Sequence, residues 1–445
     1  MEKLKYLEVY SVLKKEILKN KYKNKLPSIR ELVTMFSYNK STIQKALDKL
    51  KEDNLIVIKP KKGIFICNSY RTEDIKKPYS LDFKSAIPRS NIFPLEEFKN
   101  SVIKVLDNYG AKSLEYEESQ GYLPLRREIS FKLAKKFIKV REDSIYIIPG
   151  TKNAIEIIFK NLIYQNNYIA IESPYYPEVF NIFKELGITP LEIPMEEDGI
   201  NLKKLENFLK KYRIKLLYTI PNFHNPTGIS LSEEKMKNLI KLAEKYDFYI
   251  LEDDTMSELN YKKNSILLKS LDNYDRVIYL KSFSKIFNPG FKLSYILLPS
   301  SLKLSFENIF FKGNYFTSSL NQRAFYYFFK EKTWENHIQN LKKNYEEKFF
   351  LVESLLENCK NIEIVHSPQG GLFFWLKIKN IDALYLQNQL LKFNIGIGPG
   401  ILFSEKYNNY FRFSFARESL ENIKIGIEKI KEIINKSSKN KYINK

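Results

Sequence analysis

The sequence predicts a two-part α/β chain: a small basic winged helix-turn-helix, then a large domain built on a mainly parallel central sheet. Three observations predict it. From Leu81 onward, helical stretches alternate with short, continuously apolar strands, the pattern of a sheet covered on both faces. Residues 1–68 hold fifteen lysines and one arginine against seven acids, about fourfold more net charge per residue than the remainder. The 445 residues, 44% of them hydrophobic, are enough for more than one core.

Composition excludes several classes. The total of 73 Lys+Arg against 52 Asp+Glu gives +21, but the chain is saturated with Lys, Asn, Ile and Tyr. That bias is what AT-rich coding produces, so the charge asymmetry is more informative than the total. Two cysteines, Cys67 and Cys359, make no disulfide framework and suit a reducing compartment. The N-terminus MEKLKYLEVY has no apolar core, and no uncharged run is long enough to span a bilayer, so a cytoplasmic protein without membrane contact is expected. His224, His337 and His366 lack cysteine companions, and no metal site is expected.

In the basic module, Leu4, Leu7, Tyr10, Val12, Leu13, Ile17 and Leu18 predict a helix over 4–19. Pro27 suits a helix start, and Ser28 with Glu31 has the spacing of a capping box, so a short helix runs to about Phe36. After the turn Ser37-Tyr38-Asn39-Lys40, Ser41 or its neighbour caps a helix burying Ile43, Ala46, Leu47 and Leu50. LIVIKP and GIFICN then read as a hairpin around Lys61-Lys62-Gly63. The polar stretch SYRTEDIKKPYS reads as a linker, giving domains at 1–68 and 81–445 joined by 69–80.

LPSIREL, KSTIQKALDKL and KKGIFI, in that order and spacing, resemble the winged-helix module of the GntR class of bacterial transcription regulators. The resemblance implies that Arg30, Lys40, Ser41, Thr42 and Gln44 face double-stranded DNA, with Gly63 at the wing tip near the minor groove. The residue chemistry agrees: Arg30 and Lys40 can neutralise phosphates, Thr42 can bond backbone oxygens, and Gln44 can read a base edge.

In the large domain the apolar runs YIAIES, KLLYTI, FYILED, RVIYLKS and LSYILLP read as strands, and functional residues collect where such strands end. The punctuation there resembles the fold-type-I aminotransferases, which use pyridoxal 5′-phosphate (PLP). Gly150, Thr151 and Lys152 ahead of a helix look like the loop that cradles the cofactor phosphate, since glycine permits close approach and helix N-terminal amides meet an anion. The resemblance makes Tyr176 the ring that stacks on the pyridine, Asn225 of NPTG the partner of the phenolic oxygen, and Asp253 the carboxylate at the pyridine nitrogen. Lys285 of SFSK would carry the Schiff base, with Ser282 and Ser284 near the phosphate. Arg412 would grip a ligand carboxylate bidentately.

Three positions depart from that pattern. Thr255 stands where a tyrosine usually contacts the phenolic oxygen, Lys292 replaces the phosphate-binding arginine, and Ser294 replaces a nearby glycine. The combination of both modules resembles the MocR subgroup of GntR regulators. It implies a homodimeric DNA-binding regulator that responds to PLP or to an amine or amino acid reacting with it. Two alternatives stay open: a working aminotransferase with an appended DNA-binding head, and a DNA-binding protein whose second domain holds no cofactor.

Overall fold

The computed structural model describes residues 2–18, 21–22, 25–52, 55–59, 63–66, 79–163, 167–313, 317–357 and 359–443. The chain divides into two compact units, Met1–Pro78 and Tyr79–Lys445. Apart from Tyr79 and Ser80, the expected linker lies outside the described residues, as do Lys61 and Lys62 of the hairpin turn. No described helix is long and apolar enough to cross a membrane.

In the first unit α1 (Glu2–Leu18) buries Val9, Leu13 and Ile17, a stripe at four-residue spacing. Leu7 and Val12, expected in that stripe, are both 38% exposed, because the buried row runs through Val9. The capping box at the start of α2 (Ile29–Phe36) is formed: Glu31 N–H donates to Ser28 Oγ, and Ser28 N–H donates to the Glu31 carboxylate at 2.6 Å. Ser37, left-handed at φ 53°, ends α2. The start of α3 (Lys40–Glu52) is capped by Asn39, not by Ser41 or its neighbour, since Asn39 Oδ1 accepts the Thr42 N–H at 2.8 Å. Strands β1 (Ile56–Lys59) and β2 (Gly63–Ile66) form the expected antiparallel hairpin. Leu32, Ile43, Ala46, Leu47, Leu50 and Ile64 complete the core of this unit.

The second unit opens with β3 (Leu81–Asp82) and contains a mixed eight-stranded sheet. Its strands are β4 (Ile145–Ile148), β5 (Tyr168–Ser173), β6 (Leu191–Glu196), β7 (Gly199–Ile200), β8 (Ile214–Thr219), β9 (Tyr249–Asp254), β10 (Val277–Ser282) and β11 (Ser294–Leu297). They lie in the order β4-β11-β10-β9-β8-β5-β6-β7, and β7 and β11 run antiparallel to the other six. Alternate residues feed two cores: Leu216, Tyr218 and Leu251 pack toward the helices Thr151–Leu162 and Pro177–Glu185, while Leu217 and Ile250 pack with Leu205, Met236 and Leu239. A second, antiparallel sheet contains β12 (Ile362–Ile364), β13 (Phe373–Ile378), β15 (Gly398–Pro399) and β16 (Tyr410–Ser414). Between them in sequence, β14 (Ile395–Gly396) pairs parallel with β3.

The first strand is tied to the C-terminal helix Leu420–Ile443 through Phe83, which is fully buried and stacked on Phe413 with centroids 4.5 Å apart. Gly426 of that helix faces the Phe83 ring so closely that a Cβ would overlap it. Alanine normally favours a helix over glycine by ~1 kcal/mol. Here overpacking costs about 1–3 kcal/mol, so Gly426→Ala is expected to lower the urea midpoint of unfolding. A raised midpoint would show that helix propensity outweighs the clash.

Candidate functional site

Strand polarity gathers the site. Strands β4, β5, β8, β9 and β10 run the same way, so the segments that follow them emerge at one edge of the sheet. After β4, Gly150 adopts φ +90° and caps the helix Thr151–Leu162, whose first amides have no partner inside the helix. A Cβ on Gly150 would lie 3.9 Å from Cβ of Lys292. Lys292 is left-handed at φ 46° and exposed, and its ammonium has no partner among the described residues. Ser282 and Ser284 share a hydroxyl hydrogen bond of 3.0 Å. Ser282 pairs with Ser294 across β10 and β11, and Ser294 pairs with Ile148 of β4, so the serines and the glycine turn lie two strands apart. Ser294 Oγ is buried with no partner among the described residues. The side chain of Lys152 turns away, pairing with Glu185 at 3.4 Å, so only its backbone amide belongs to the helix start.

Asp253, the penultimate residue of β9, is 2% exposed. Tyr218 OH donates to its Oδ2 at 2.6 Å and Thr255 Oγ1 to its Oδ1 at 3.3 Å. Burial still pushes the carboxyl up to about 6, against these two hydrogen bonds. The Thr255 hydroxyl is thus spent on Asp253, not turned toward a separate acceptor. Tyr175 stacks on Phe180 with centroids 4.1 Å apart, whereas no described ring stacks on Tyr176, which leads into the helix Pro177–Glu185.

Arg412 lies in β16 and is 9% exposed, its guanidinium over the rings of Phe373 (4.5 Å) and Phe403 (5.0 Å). Nη1 donates to Asn225 Oδ1 and Nη2 to the Lys84 carbonyl, both at 2.6 Å, while the buried Nε has no partner. Burial lowers its pKa to about 10, which leaves it cationic at neutral pH. Because Arg412 takes Oδ1 of Asn225, the amide nitrogen Nδ2 is the donor left for another group. Lys285 follows β10, mostly buried, and its amine makes no hydrogen bond or ion pair among the described residues. Burial lowers its pKa to about 8; the carboxylates of Glu178 and Asp253 oppose the shift and Arg412 adds to it.

The structure therefore brings together Gly150, Thr151, Ser282, Ser284 and Lys292 at one end of this edge, and Asp253 with Thr255 and Asn225 with Arg412 as bonded pairs. The sequence reading missed Tyr218, Glu178, Phe373, Phe403 and the Lys84 carbonyl. Tyr218 had a signal, since its place on β8 aims it at the β9 residue on the same face. Lys84 had none, being 328 residues from Arg412.

On the basic unit, Arg30, Lys40 and Ser41 are exposed, while Gln44 is half-buried and donates to Asp48 at 3.0 Å. Thr42 is 6% exposed and so does not face solvent on α3; the Asn39 cap turns it inward. Lys45 is exposed one turn after Ser41, a cation on that face which the motif did not single out. Gly63 is not at the tip of the hairpin. It pairs with Lys59, and its φ of +109° sets it against the Lys25 side chain, which a Cβ would overlap.

Residues 89–430 match the family described as aminotransferase class I and II, and residues 5–66 match bacterial regulatory proteins of the gntR family. An uncharacterized HTH-type transcriptional regulator of Bacillus subtilis, YdfD, is 28% identical over 96% of this chain and 96% of its own. A second from that organism, YcxD, is 31% identical over 77% of this chain and 78% of its own. Among solved structures, LysN, an α-aminoadipate aminotransferase of Thermus thermophilus complexed with N-(5′-phosphopyridoxyl)-L-leucine, superposes with a TM-score of 0.73 at 28% identity. That superposition covers 80% of this chain and 92% of LysN.

The depressed Lys285 amine makes a pH prediction. Only the neutral amine attacks an aldehyde, and its fraction rises with pH through about 8. The rate at which cofactor-free protein captures PLP, followed by absorbance, is expected to rise about tenfold from pH 7 to pH 9 and then level off. A rate still climbing steeply above pH 10 would mean an unperturbed lysine.

Proposed function

The chain belongs to the aminotransferase class I and II family and carries a gntR-family domain ahead of it, and on that premise we propose that it is a DNA-binding transcription regulator that senses PLP or a PLP-reactive amine or amino acid. The observation that carries the reading is the mostly buried amine of Lys285, unpartnered among the described residues, on the same sheet edge as the buried Asp253 carboxylate, in a chain that begins with a basic winged helix. The orphaned Nε of Arg412 and the unpaired ammonium of Lys292 fit a ligand with both a carboxylate and a phosphate end.

PLP supplies an aldehyde that condenses with amines and a ring that withdraws electrons. The amides that open the helix Thr151–Leu162, the hydroxyls of Ser282 and Ser284, and Lys292 would hold its phosphate. Asp253 would hold a proton on the ring nitrogen, with Tyr218 orienting the carboxylate. Asn225 Nδ2 would donate to the ring oxygen, Tyr176 would cover the ring, and Lys285 would supply the amine. Arg412 would take the carboxylate of an amino-acid effector. Arg30, Lys40, Ser41 and Gln44, with Lys45, would contact DNA, and a homodimer would read two half-sites.

The complete set Lys285, Asp253 and Arg412 also favours a second reading, a working aminotransferase. Thr255 bound to Asp253 and a single-point lysine at 292 favour the sensor, because both weaken the fixed grip that turnover needs. Borohydride reduction of PLP-treated protein is expected to place the pyridoxyl group on Lys285. Amino acids with 2-oxoglutarate are expected to shift the absorbance without sustained product. Label on another lysine removes the assignment, and steady oxo-acid formation establishes the enzyme.

A further inference from the structure

The segment Tyr79–Arg89 is the chain through which the second unit continues back toward residues 1–78, and it is strapped onto the second unit by a row of specific bonds. β3 pairs parallel with β14, and the Tyr79 ring lies where a Cβ on Gly396 would come within 2.6 Å. Phe83 N–H donates to the Gly396 carbonyl at 2.8 Å, and its own carbonyl accepts the Ser414 N–H at 2.9 Å. Ser414 Oγ donates to the Ser85 carbonyl at 2.8 Å. The buried carboxylate of Glu418 accepts from Asp82 N–H at 2.9 Å and from Arg89 Nη2 at 3.0 Å. Every one of these partners belongs to the framework of the unit. The Lys84 carbonyl is the exception, because its partner is Arg412 Nη2, two residues before Ser414 on the same strand.

The donor inventory of Arg412 shows what that means. A carboxylate takes two parallel N–H groups from one side of a guanidinium, and the side that presents Nε also presents Nη2. Nε is buried without a partner, whereas Nη2 already holds the Lys84 carbonyl. Nη2 carries two hydrogens and the Lys84 carbonyl, 2.6 Å away, takes one of them, so a carboxylate that arrives at the orphaned Nε and needs Nη2 as its second tooth competes with the strap for that nitrogen. The carboxylate carries a full negative charge where the carbonyl carries a partial one, and bonds between two ions are the stronger kind.

We propose that the Lys84 carbonyl is a placeholder for the effector carboxylate: a ligand engaging Arg412 displaces it and loosens the strap that leads to the DNA-binding unit. This rests on the reading of Arg412 as the effector's carboxylate grip. It supplies what a switch requires, a contact that differs between ligand-bound and ligand-free states. It also defines the chemical class of the signal. An amine without a carboxylate reaches Lys285 but leaves the strap clasped, whereas an amino acid reaches Lys285 and releases the strap.

The test follows amide hydrogen exchange of peptides spanning 79–89 in full-length, PLP-treated protein, with L-alanine or with ethylamine, which offers an amine but no carboxylate. Exchange at Asp82 and Phe83 is expected to rise about tenfold with L-alanine, the scale of losing one charge-assisted hydrogen bond, and not to move with ethylamine. Arg412→Met is expected to show the raised exchange with no ligand and no further response, while peptides from β9 and β10 keep their protection. If that variant does not fold, Arg412→Leu takes its place. Unchanged strap exchange in the variant, equal loosening by ethylamine, or an absorbance response to L-alanine without loosening each overturns the proposal. Loosening in the variant, together with no absorbance response of the wild-type protein to L-alanine, supports the clasp and contradicts the effector reading beneath it.

Discussion

The uncompensated carboxylate of Asp253 is the constraint on which the site depends. A buried charge without a counterion is costly, and hydrogen bonds from Tyr218 and Thr255 offset only part of that cost. The next residue on β9 points to the other face and is treated differently. Asp254 accepts from Tyr279 OH at 2.6 Å and from Ser257 Oγ at 2.8 Å, and pairs with the buried Lys281 at 3.1 Å. One strand thus carries an ion-paired carboxylate on one face and, on the other, a carboxylate held by hydroxyl hydrogen bonds alone. With Asp253 pushed up to about 6 and Lys285 down to about 8, both groups titrate near neutrality, a feature of sites that bind and exchange protons.

Around this pair the fold supplies rigidity. Glu172 at the end of β5 accepts the Ile220 N–H at 3.0 Å and a hydroxyl bond from Thr219, and lies 3.2 Å from His224 Nε2. His224 Nδ1 in turn meets Thr227 Oγ1 at 2.8 Å. These side chains are buried and bracket Asn225, so the loop that holds Arg412 is set by a network reaching across to the neighbouring strand β5. Arg412 then joins that loop to the strap at Lys84. The loop after β8, Arg412 and the strap at Lys84 are thus consecutive links of one hydrogen-bonded path.

Much of this was legible in the sequence because it rests on local chemistry. Ser28 and Glu31 announce their helix start, Gly150 its turn, and the apolar runs of β5, β8, β9 and β10 a sheet buried on both faces. What local patterns cannot supply is the outcome of packing. Val9 outranks Val12 in α1 because the core of the first unit lies on its side, and Thr42 turns inward once Asn39 caps α3. Gly63 faces the side chain of Lys25, a neighbour in space alone. The Arg412–Lys84 bond joins positions whose spacing carries no signal, and a main-chain carbonyl has no side-chain identity to read.

The central claim is that occupancy of the second unit is read out by the first. It is tested most directly by footprinting full-length protein on the DNA upstream of its own gene, with and without PLP, beside a Lys285→Ala variant. The account predicts that PLP changes the protected region or its midpoint for the wild-type chain and leaves the variant unchanged. Identical protection with and without PLP, in wild-type protein shown to carry the cofactor on Lys285, would contradict it.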